Sequence, residues 1–454
     1  MTSCPSAAHS DQPARSGLPP AVWVACLIAL VLRLAAVQFY YGWNRPLRQD
    51  EPDYDAIATN LAAGRGFAVF PGQPSAWRPP AYPAFLAAIY KLAGRDFAVV
   101  RFVQCLIGAA TCGLVFLLGK HMADRTVGLV SAYIAALYPL FIALNGRLYT
   151  ETVYLPLVLL AALALARLQR DGLRWAALLG AVCGLSALVR PNLALFPLLA
   201  GLGLLMAGRP LQRVLLETGL MLAVTTATIL PWAVRNYLAL GAFVPISTNG
   251  GITLFVGNNP WAVGGGAVEW AIVGYPPEEA QEKFGQLRVA APRGDFPSGI
   301  NFWQGLSEVE NDRRYTDLAK RWIRANPGRF LALMPRKLLK LFSWRITSGQ
   351  ADVQRSEWLS LISYGAMLPF SVLGLILSLR DWRPWLPAYL FPLPFIVSAC
   401  LFYGSARLRQ PVDPFLIVFA GFALCSIYRW QQRRSGALST CKAECCADSE
   451  GGVS

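Results

Sequence analysis

Four carboxylates stand within six residues in the run Arg48-Gln49-Asp50-Glu51-Pro52-Asp53-Tyr54-Asp55. Pro52 suits the first turn of a helix, and the pattern predicts a helix that runs to about Ala63 and stops at Gly64. Asp53 and Asp55 then fall in the first turn, where negative charge complements the helix dipole. Asp50 and Glu51 precede the helix. A carboxylate placed there can cap the helix or take the proton of an attacking hydroxyl or amine. Further on, Trp77-Arg78-Pro79-Pro80 opens a second short helix, expected over 81–94. Arg78 sits just before its N-terminus, where backbone N–H groups already favour an anion and a guanidinium strengthens a phosphate site. The chain has two histidines, His9 and His121. A His-based triad, a His-bound zinc site or a His general base is therefore excluded in practice, and acid–base work falls to carboxylates with Arg or Lys as electrostatic partners.

The elements that must position these groups are membrane spans. Of 454 residues, 55% are hydrophobic and only 15% charged, against roughly 25% charged in a soluble domain. Apolar runs of about 20 residues, long enough to cross the hydrocarbon as helices, are read at 20–41, 97–119, 127–145, 152–168, 173–189, 191–208, 213–232, 356–379, 385–402 and 411–429. The expectation is an all-α polytopic membrane protein, and a soluble enzyme or disulfide scaffold is ruled out. The short connections 120–126, 167–174, 209–213, 380–384 and 429–434 carry twelve Lys/Arg against three Asp/Glu, which marks that side as cytoplasmic. Both termini then lie inside, and the long loops 42–96 and 233–355 lie outside. The expected organisation is a cytoplasmic tail (1–19), a transmembrane module with the first outer loop (20–232), an outer subdomain (233–355), C-terminal spans (356–429) and a second tail (430–454).

Several residues admit a structural and a functional reading. Arg33, deep in the first span, needs a helix neighbour or water. The segment 320–345 holds eight Lys/Arg and no acidic residue. It fits short interfacial helices broken at Pro327 and Pro335, acting as an anchor or as a wall for an anionic lipid. Arg235, Arg407 and Arg409 stand next to span ends and can snorkel. An extended turn at 407–409 puts both its arginines on one side, suited to a phosphate. Glu217 is expected at the cytoplasmic interface. The six cysteines inside apolar segments and the cluster Cys441, Cys445, Cys446 in the tail place none in the two long loops, so those loops are not disulfide-stapled. Gly264-Gly265-Gly266 lacks the strand–helix context of a nucleotide cradle.

With these residues in hand, the sequence resembles the GT-C superfamily of membrane glycosyltransferases, and within it bacterial family 39-type proteins related to the protein O-mannosyltransferases and the lipid A aminoarabinose transferase. The likeness rests on Asp50-Glu51 with Tyr54, Gly64-Arg65-Gly66-Phe67, Trp77-Arg78-Pro79-Pro80, Arg147 to Glu151 and Arg190-Pro191-Asn192. It continues in Pro231-Trp232-Ala233-Val234-Arg235-Asn236, Ser247 to Gly251, Gly257-Asn258-Asn259-Pro260 and Arg407-Leu408-Arg409-Gln410-Pro411. It is strongest over 20–260. The resemblance implies a GT-C bundle of about ten spans with two short helices in the first outer loop. It also implies sugar transfer from a polyprenyl-phosphate donor on the outer face, with inversion at the anomeric carbon. On that basis Asp50, with Glu51 beside it, is the base or acceptor-orienting group and Glu151 the second acidic position. Arg78 and Arg190 stand near the lipid phosphate, and Tyr54, Arg147, Arg235, Arg407 and Arg409 are candidate substrate contacts. Arg instead of His before the Pro-Pro pair, and the lack of a large soluble repeat domain after the seventh span, set the chain apart from the protein mannosyltransferases. The acceptor is left as a lipid, glycan or protein. No cofactor is expected, although the carboxylates at 50–55 could hold a divalent cation. Membrane lipids are partners and nucleic acid is not. A lipid or solute transporter, or a flippase, is the competing reading, and an inactive scaffold a third.

Overall fold

The computed structural model describes residues 18–170, 172–260, 262–265, 305–344 and 360–450, with 436–450 described by backbone alone. The expected N-terminal tail up to residue 17, the turn-rich stretch 266–304 and the side chains of Cys441, Cys445 and Cys446 lie outside this description. The described residues are helical throughout, joined by turns and loops, with no strand among them. In order they form α1 (Pro20–Ala36, continued by a π turn to Tyr41), α2 (Glu51–Ala62), α3 (Ala81–Ala93), α4 (Phe97–Met122), α5 (Arg125–Leu137), α6 (Pro139–Asn145), α7 (Glu151–Leu168), α8 (Leu173–Val189) and α9 (Phe196–Met206). There follow α10 (Leu211–Leu240), α11 (Gly250–Gly257), α12 (Glu308–Ala325), α13 (Pro327–Leu341), α14 (Ala366–Ser378), α15 (Leu386–Leu390), α16 (Pro392–Leu401) and α17 (Asp413–Glu450).

Among the described residues, seven helical stretches are long and apolar enough to span a membrane: 20–41, 97–122, 151–168, 211–240, 361–381, 383–401 and 413–435. An eighth counts if α5 and α6 are one span, bent by 53°. Pro139, which has no N–H to give, opens α6 after the extended Tyr138 and breaks the run. The two remaining expected spans are shorter. The helix α8 stops at Val189, where Arg190 turns extended before Pro191, and α9 starts only at Phe196. In the other direction α10 overruns its expected end at 232. Pro231 lies inside the helix without ending it, and Gly241 in the left-handed region closes it. Leu27, Leu216 and Ile376 are more than half exposed on the flanks of their helices, as a hydrocarbon surround allows. The chain is a multi-pass membrane protein.

The core lies between α4, α7, α8, α15, α16 and α17, where Trp385 stacks on Phe419 and Phe391 on Phe196 and Phe415. Arg33 is buried there and donates to Asn145 Oδ1 (2.9 Å) and to the Ala29 carbonyl of its own helix. At one end of the bundle α2 and α3 pack on each other, with Tyr54 edge-on to Tyr82. Pro52 opens α2 with Glu51 and Asp53 in its first turn, and the positive-φ Gly64 follows its end. Farther along, Ser307 and Glu310 form a reciprocal capping box that starts α12. Pro327 starts α13, whereas Pro335 sits within it, so the expected break at Pro335 is absent. Leu333, Lys337 and Leu341 face the protein.

A carboxylate and guanidinium cluster as the candidate active site

The mouth of the bundle draws side chains from five separate stretches of sequence. Asp50, just ahead of α2, accepts from Arg78 Nη2 on Oδ1 (2.9 Å) and from Arg407 Nη1 on Oδ2 (2.9 Å). Arg407 sits on a 3₁₀ turn (Ala406–Arg409) and reaches Glu151 Oε1 through Nε at 2.6 Å. Arg190, freed by the end of α8, approaches the same Glu151 oxygen at 3.4 Å. Asp53 lies in the first turn of α2 and is fully buried. It takes Arg78 Nε and Nη2 (3.1 and 2.8 Å) and the Trp77 indole N–H (2.8 Å). Its task is thus to aim Arg78, beyond the dipole role read from its position. Arg78 also lies over the Tyr54 ring, and Arg407 over the Tyr149 ring at 3.7 Å.

Exposure separates the anchors from the working face. Asp53 and Glu151 side chains are 0% and 2% exposed and Arg78 9%, whereas Arg190, Arg407 and Asp50 are 19%, 26% and 29% exposed. A ligand entering the mouth therefore meets one carboxylate between two guanidiniums. Burial alone would raise the Asp50 carboxyl, but the charges of Arg78 and Arg407 overcome it and hold the group below the usual carboxylate range. Asp50 is an anion at neutral pH. The Tyr54 phenol moves the other way, pushed up to about 12 mainly by burial and only partly countered by Arg78, so it stays protonated.

The approach to Arg78 is held from outside. Glu308, the first residue of α12, accepts from Ser75 Oγ (2.6 Å), from the Ala76 N–H (2.8 Å) and from the Thr248 hydroxyl. Thr248 N–H in turn donates to the Ala76 carbonyl (2.9 Å). Burial pushes the Glu308 carboxyl up against these three donors. The turn that carries Arg407 is packed as closely: a Cβ on Gly404 would collide with the Lys337 carbonyl oxygen. Lys337 Nζ donates to Asn258 Oδ1 (2.8 Å) and to the Cys400 carbonyl at the end of α16 (3.1 Å).

With this geometry in view, comparison with known proteins is informative. Residues 77–234 match the model of the dolichyl-phosphate-mannose-protein mannosyltransferase family. The structure is similar to the archaeal oligosaccharyltransferase AglB from Archaeoglobus fulgidus, solved with an inhibitory peptide and a dolichol-phosphate: TM-score 0.55, 15% identity, covering 92% of this chain and 51% of that one. The Archaeoglobus fulgidus oligosaccharyltransferase tethered to an acceptor peptide containing the NVT sequon gives 0.55 and 14%, over 90% and 49%. The GT-C fold is shared. This chain spans about half the length of those structures. ArnT from Cupriavidus metallidurans in the apo state is matched more loosely, at TM-score 0.39 and 13% identity over 88% of this chain and 76% of that one. No curated protein sequence matches.

The family match covers Arg78, Arg147, Glu151 and Arg190 and leaves Asp50 and Arg407 outside it. Of the residues expected at the site, Asp50, Tyr54, Arg78, Glu151, Arg190 and Arg407 converge. Arg147 lies beside them, 3.4 Å from Gln49 Oε1 and 3.1 Å from the Tyr149 hydroxyl. Three others are elsewhere. Glu51 is fully buried and accepts from Arg45 (2.5 Å) and from the N–H groups of Arg48 and Leu148 (2.8 and 2.7 Å), so it splices two loops together and is closed off from an acceptor. Arg235, on α10, donates to the carbonyls of Ser75 (2.6 Å) and Phe67 (2.8 Å) and lies over the Trp232 ring. Arg409 turns inward to Asp413 (2.7 Å) and the Ser343 carbonyl (2.8 Å). At three residues per turn, positions two apart on a 3₁₀ helix diverge by about 120°, which overturns the shared side expected of an extended turn. Glu217 is buried and pairs with Arg209 (2.6 Å) and Arg213 (3.1 Å). The carboxylates at 50–55 are all paired with cations: Asp50 with Arg78 and Arg407, Asp53 with Arg78, Glu51 with Arg45 and Asp55 with Arg95. No group of three His, Cys, Asp or Glu that could hold a metal ion occurs among the described residues.

Sequence reasoning does not single out Asp53, Glu308, Gln49 or Tyr149 as site residues. Tyr149 falls inside the Arg147–Glu151 stretch that carries the resemblance, and an aromatic two residues from an acidic site position is a usable signal. Nothing in the sequence ties Glu308 to Ser75 across 233 positions.

Proposed function

We propose that this chain is a membrane glycosyltransferase that moves a sugar from a polyprenyl-phosphate donor to a lipid, glycan or protein acceptor at the outer membrane face. The observation that carries the reading is Asp50, an accessible anion gripped by two guanidiniums from opposite ends of the sequence. The family match and the fold shared with an enzyme solved with a dolichol-phosphate support it.

The chemistry follows from the placement of charge. An acceptor X–H attacks the anomeric carbon, its proton passes to Asp50, and the carbon–oxygen bond to the phosphate breaks. Polyprenyl phosphate leaves with the electron pair and the anomeric centre inverts. A phosphate leaving group needs little protonation and much charge stabilisation, which fixed guanidiniums supply without reorganising. Arg407 and Arg190 face it, with Arg78 behind. Held by two arginines, Asp50 is a weak base. A donor phosphate beside Arg407 and Arg78 offsets their positive charge where they stand, weakens their hold on the carboxylate and raises its basicity when an acceptor needs it.

The test is purified full-length protein in lipid nanodiscs, given a panel of polyprenyl-phosphate-linked sugars and assayed for released polyprenyl phosphate. Asp50→Asn should lower turnover by about 10²–10⁴-fold, the usual worth of a general base. It should bind polyprenyl phosphate at least as tightly as the parent, because a competing negative charge is gone. Full turnover in the variant removes Asp50 from the role. Solute uptake by proteoliposomes that needs no polyprenyl phosphate favours a transporter.

A further inference from the structure

The backbone entering Asp50 is strained. Gln49 has φ of 58°, the one non-glycine residue at positive φ among the described residues, a region that costs any residue bearing a Cβ. Strain of this kind persists where surrounding contacts over-determine it, and here the contact is specific. The Gln49 side-chain oxygen accepts from the Tyr149 hydroxyl and, at 3.4 Å, from Arg147 Nη1. Tyr149 is 2% exposed, and its ring carries the Arg407 guanidinium at 3.7 Å. One side chain thus touches the residue that sets the direction of Asp50 and the cation that Asp50 holds.

We infer that Tyr149 is a positioning residue with two separable functions. Its hydroxyl locks Gln49 in the left-handed turn that aims Asp50, and its ring is the platform on which Arg407 meets the donor phosphate. The inference rests on the transferase reading and deepens it, since it assigns base alignment and phosphate binding to different parts of one phenol. Tyr149→Phe keeps the platform and loses the lock. Tyr149→Leu loses both. Gln49→Gly keeps the backbone conformation at no steric cost and loses the lock from the other side.

The experiment uses full-length protein in detergent, with undecaprenyl phosphate as the binding probe and whichever polyprenyl-phosphate sugar the parent consumes for turnover. Tyr149→Phe is expected to lower kcat about tenfold, as small misplacements of a reacting group do, with KM and undecaprenyl phosphate affinity within about twofold. Tyr149→Leu should show the same kcat loss and also bind undecaprenyl phosphate about tenfold more weakly, having lost a stacked cation. Gln49→Gly should match Tyr149→Phe, and the two together should lose no more than either alone, because they break one interaction. The inference falls if the Phe and Leu variants behave alike, or if the Gln49 and Tyr149 losses multiply. If the parent consumes no donor, the transferase reading fails on that result. The binding arm still decides the platform, which an unweakened Tyr149→Leu overturns.

Discussion

Arg407 and Arg409 occupy one turn, two residues apart, and each bonds a carboxylate, yet they serve opposite ends. Arg409 is 1% exposed and its partner Asp413 0%. The Tyr138 hydroxyl donates to the other Asp413 oxygen, and the Tyr364 ring closes over the guanidinium at 3.4 Å. That pair is complete, local in sequence and sealed. Arg407 is 26% exposed and divided between Asp50 and Glu151, which lie 357 and 256 positions away. Residue type does not separate a structural ion pair from a site here. What separates them is whether the charge is left accessible and asked to satisfy more than one partner.

The sharpest way to break this contrast is to cut both pairs in the same manner. Arg409→Met strands Asp413 without its cation in a buried place, and breaking a buried pair typically costs about 3–5 kcal/mol. The expected result is a large loss of folded protein, read as a drop in midpoint under thermal or denaturant unfolding. Arg407→Met leaves Asp50 with Arg78 and Glu151 with Arg190, so its unfolding midpoint should move little. Its transfer rate should fall by about 10²–10³-fold, the cost of removing one fixed donor to developing charge. Equal destabilisation by the two substitutions would erase the distinction.

The pH profile gives a finer measure of the same cluster. Arg407 and Arg78 hold the Asp50 carboxyl below its ordinary range against burial, and the acid limb of kcat/KM reports the free enzyme's base. With both arginines present, that limb should lie below about pH 4, the unperturbed aspartate value. Arg407→Gln removes one of the two opposing charges and lets burial act. The pKa rises and the limb moves to higher pH, so the variant loses activity at pH 5 that the parent keeps. A limb that stays in place would mean Arg407 does not tune Asp50.

The parts legible in sequence are those with local causes. All ten apolar runs contain helix, because an apolar segment in a bilayer has to satisfy its own backbone. The starts of α2 and α3 are marked by Pro52 and Pro79-Pro80, and the stop of α2 by Gly64. Asp50 and Arg78 are legible as a pair because both stand just ahead of a short helix on one loop. The illegible parts have distant causes. Glu51 is identical in type to a catalytic carboxylate, and only Arg45 and the Leu148 N–H reveal that it is spent. The inward turn of Arg409 depends on a 3₁₀ geometry that two sequence neighbours cannot announce, and Pro231 gives no sign that α10 runs through it to Leu240.

Glu308 sits between the two extremes, half-buried and set against donors instead of a cation, and it should give the smallest effect. Its two oxygens serve Ser75, Ala76 and Thr248 at once. A glutamine in its place would be close in shape yet offer one acceptor oxygen and an NH₂, so at least one buried donor loses its partner. An unmet buried donor costs about 1–3 kcal/mol, and this cost falls on the docking of α12 against the segment leading to Arg78, not on the chemistry. Glu308→Gln should therefore raise KM for the polyprenyl-phosphate sugar by about fivefold, a cost near 1 kcal/mol, with kcat within about twofold. Burial pushes the Glu308 carboxyl up, so it takes a proton at higher pH than an exposed glutamate, and protonated glutamate resembles glutamine. The gap in KM between parent and variant should consequently narrow as pH falls toward the acid limb. A KM identical in the two proteins at neutral pH would mean that α12 merely covers the mouth and does not hold Arg78 in place.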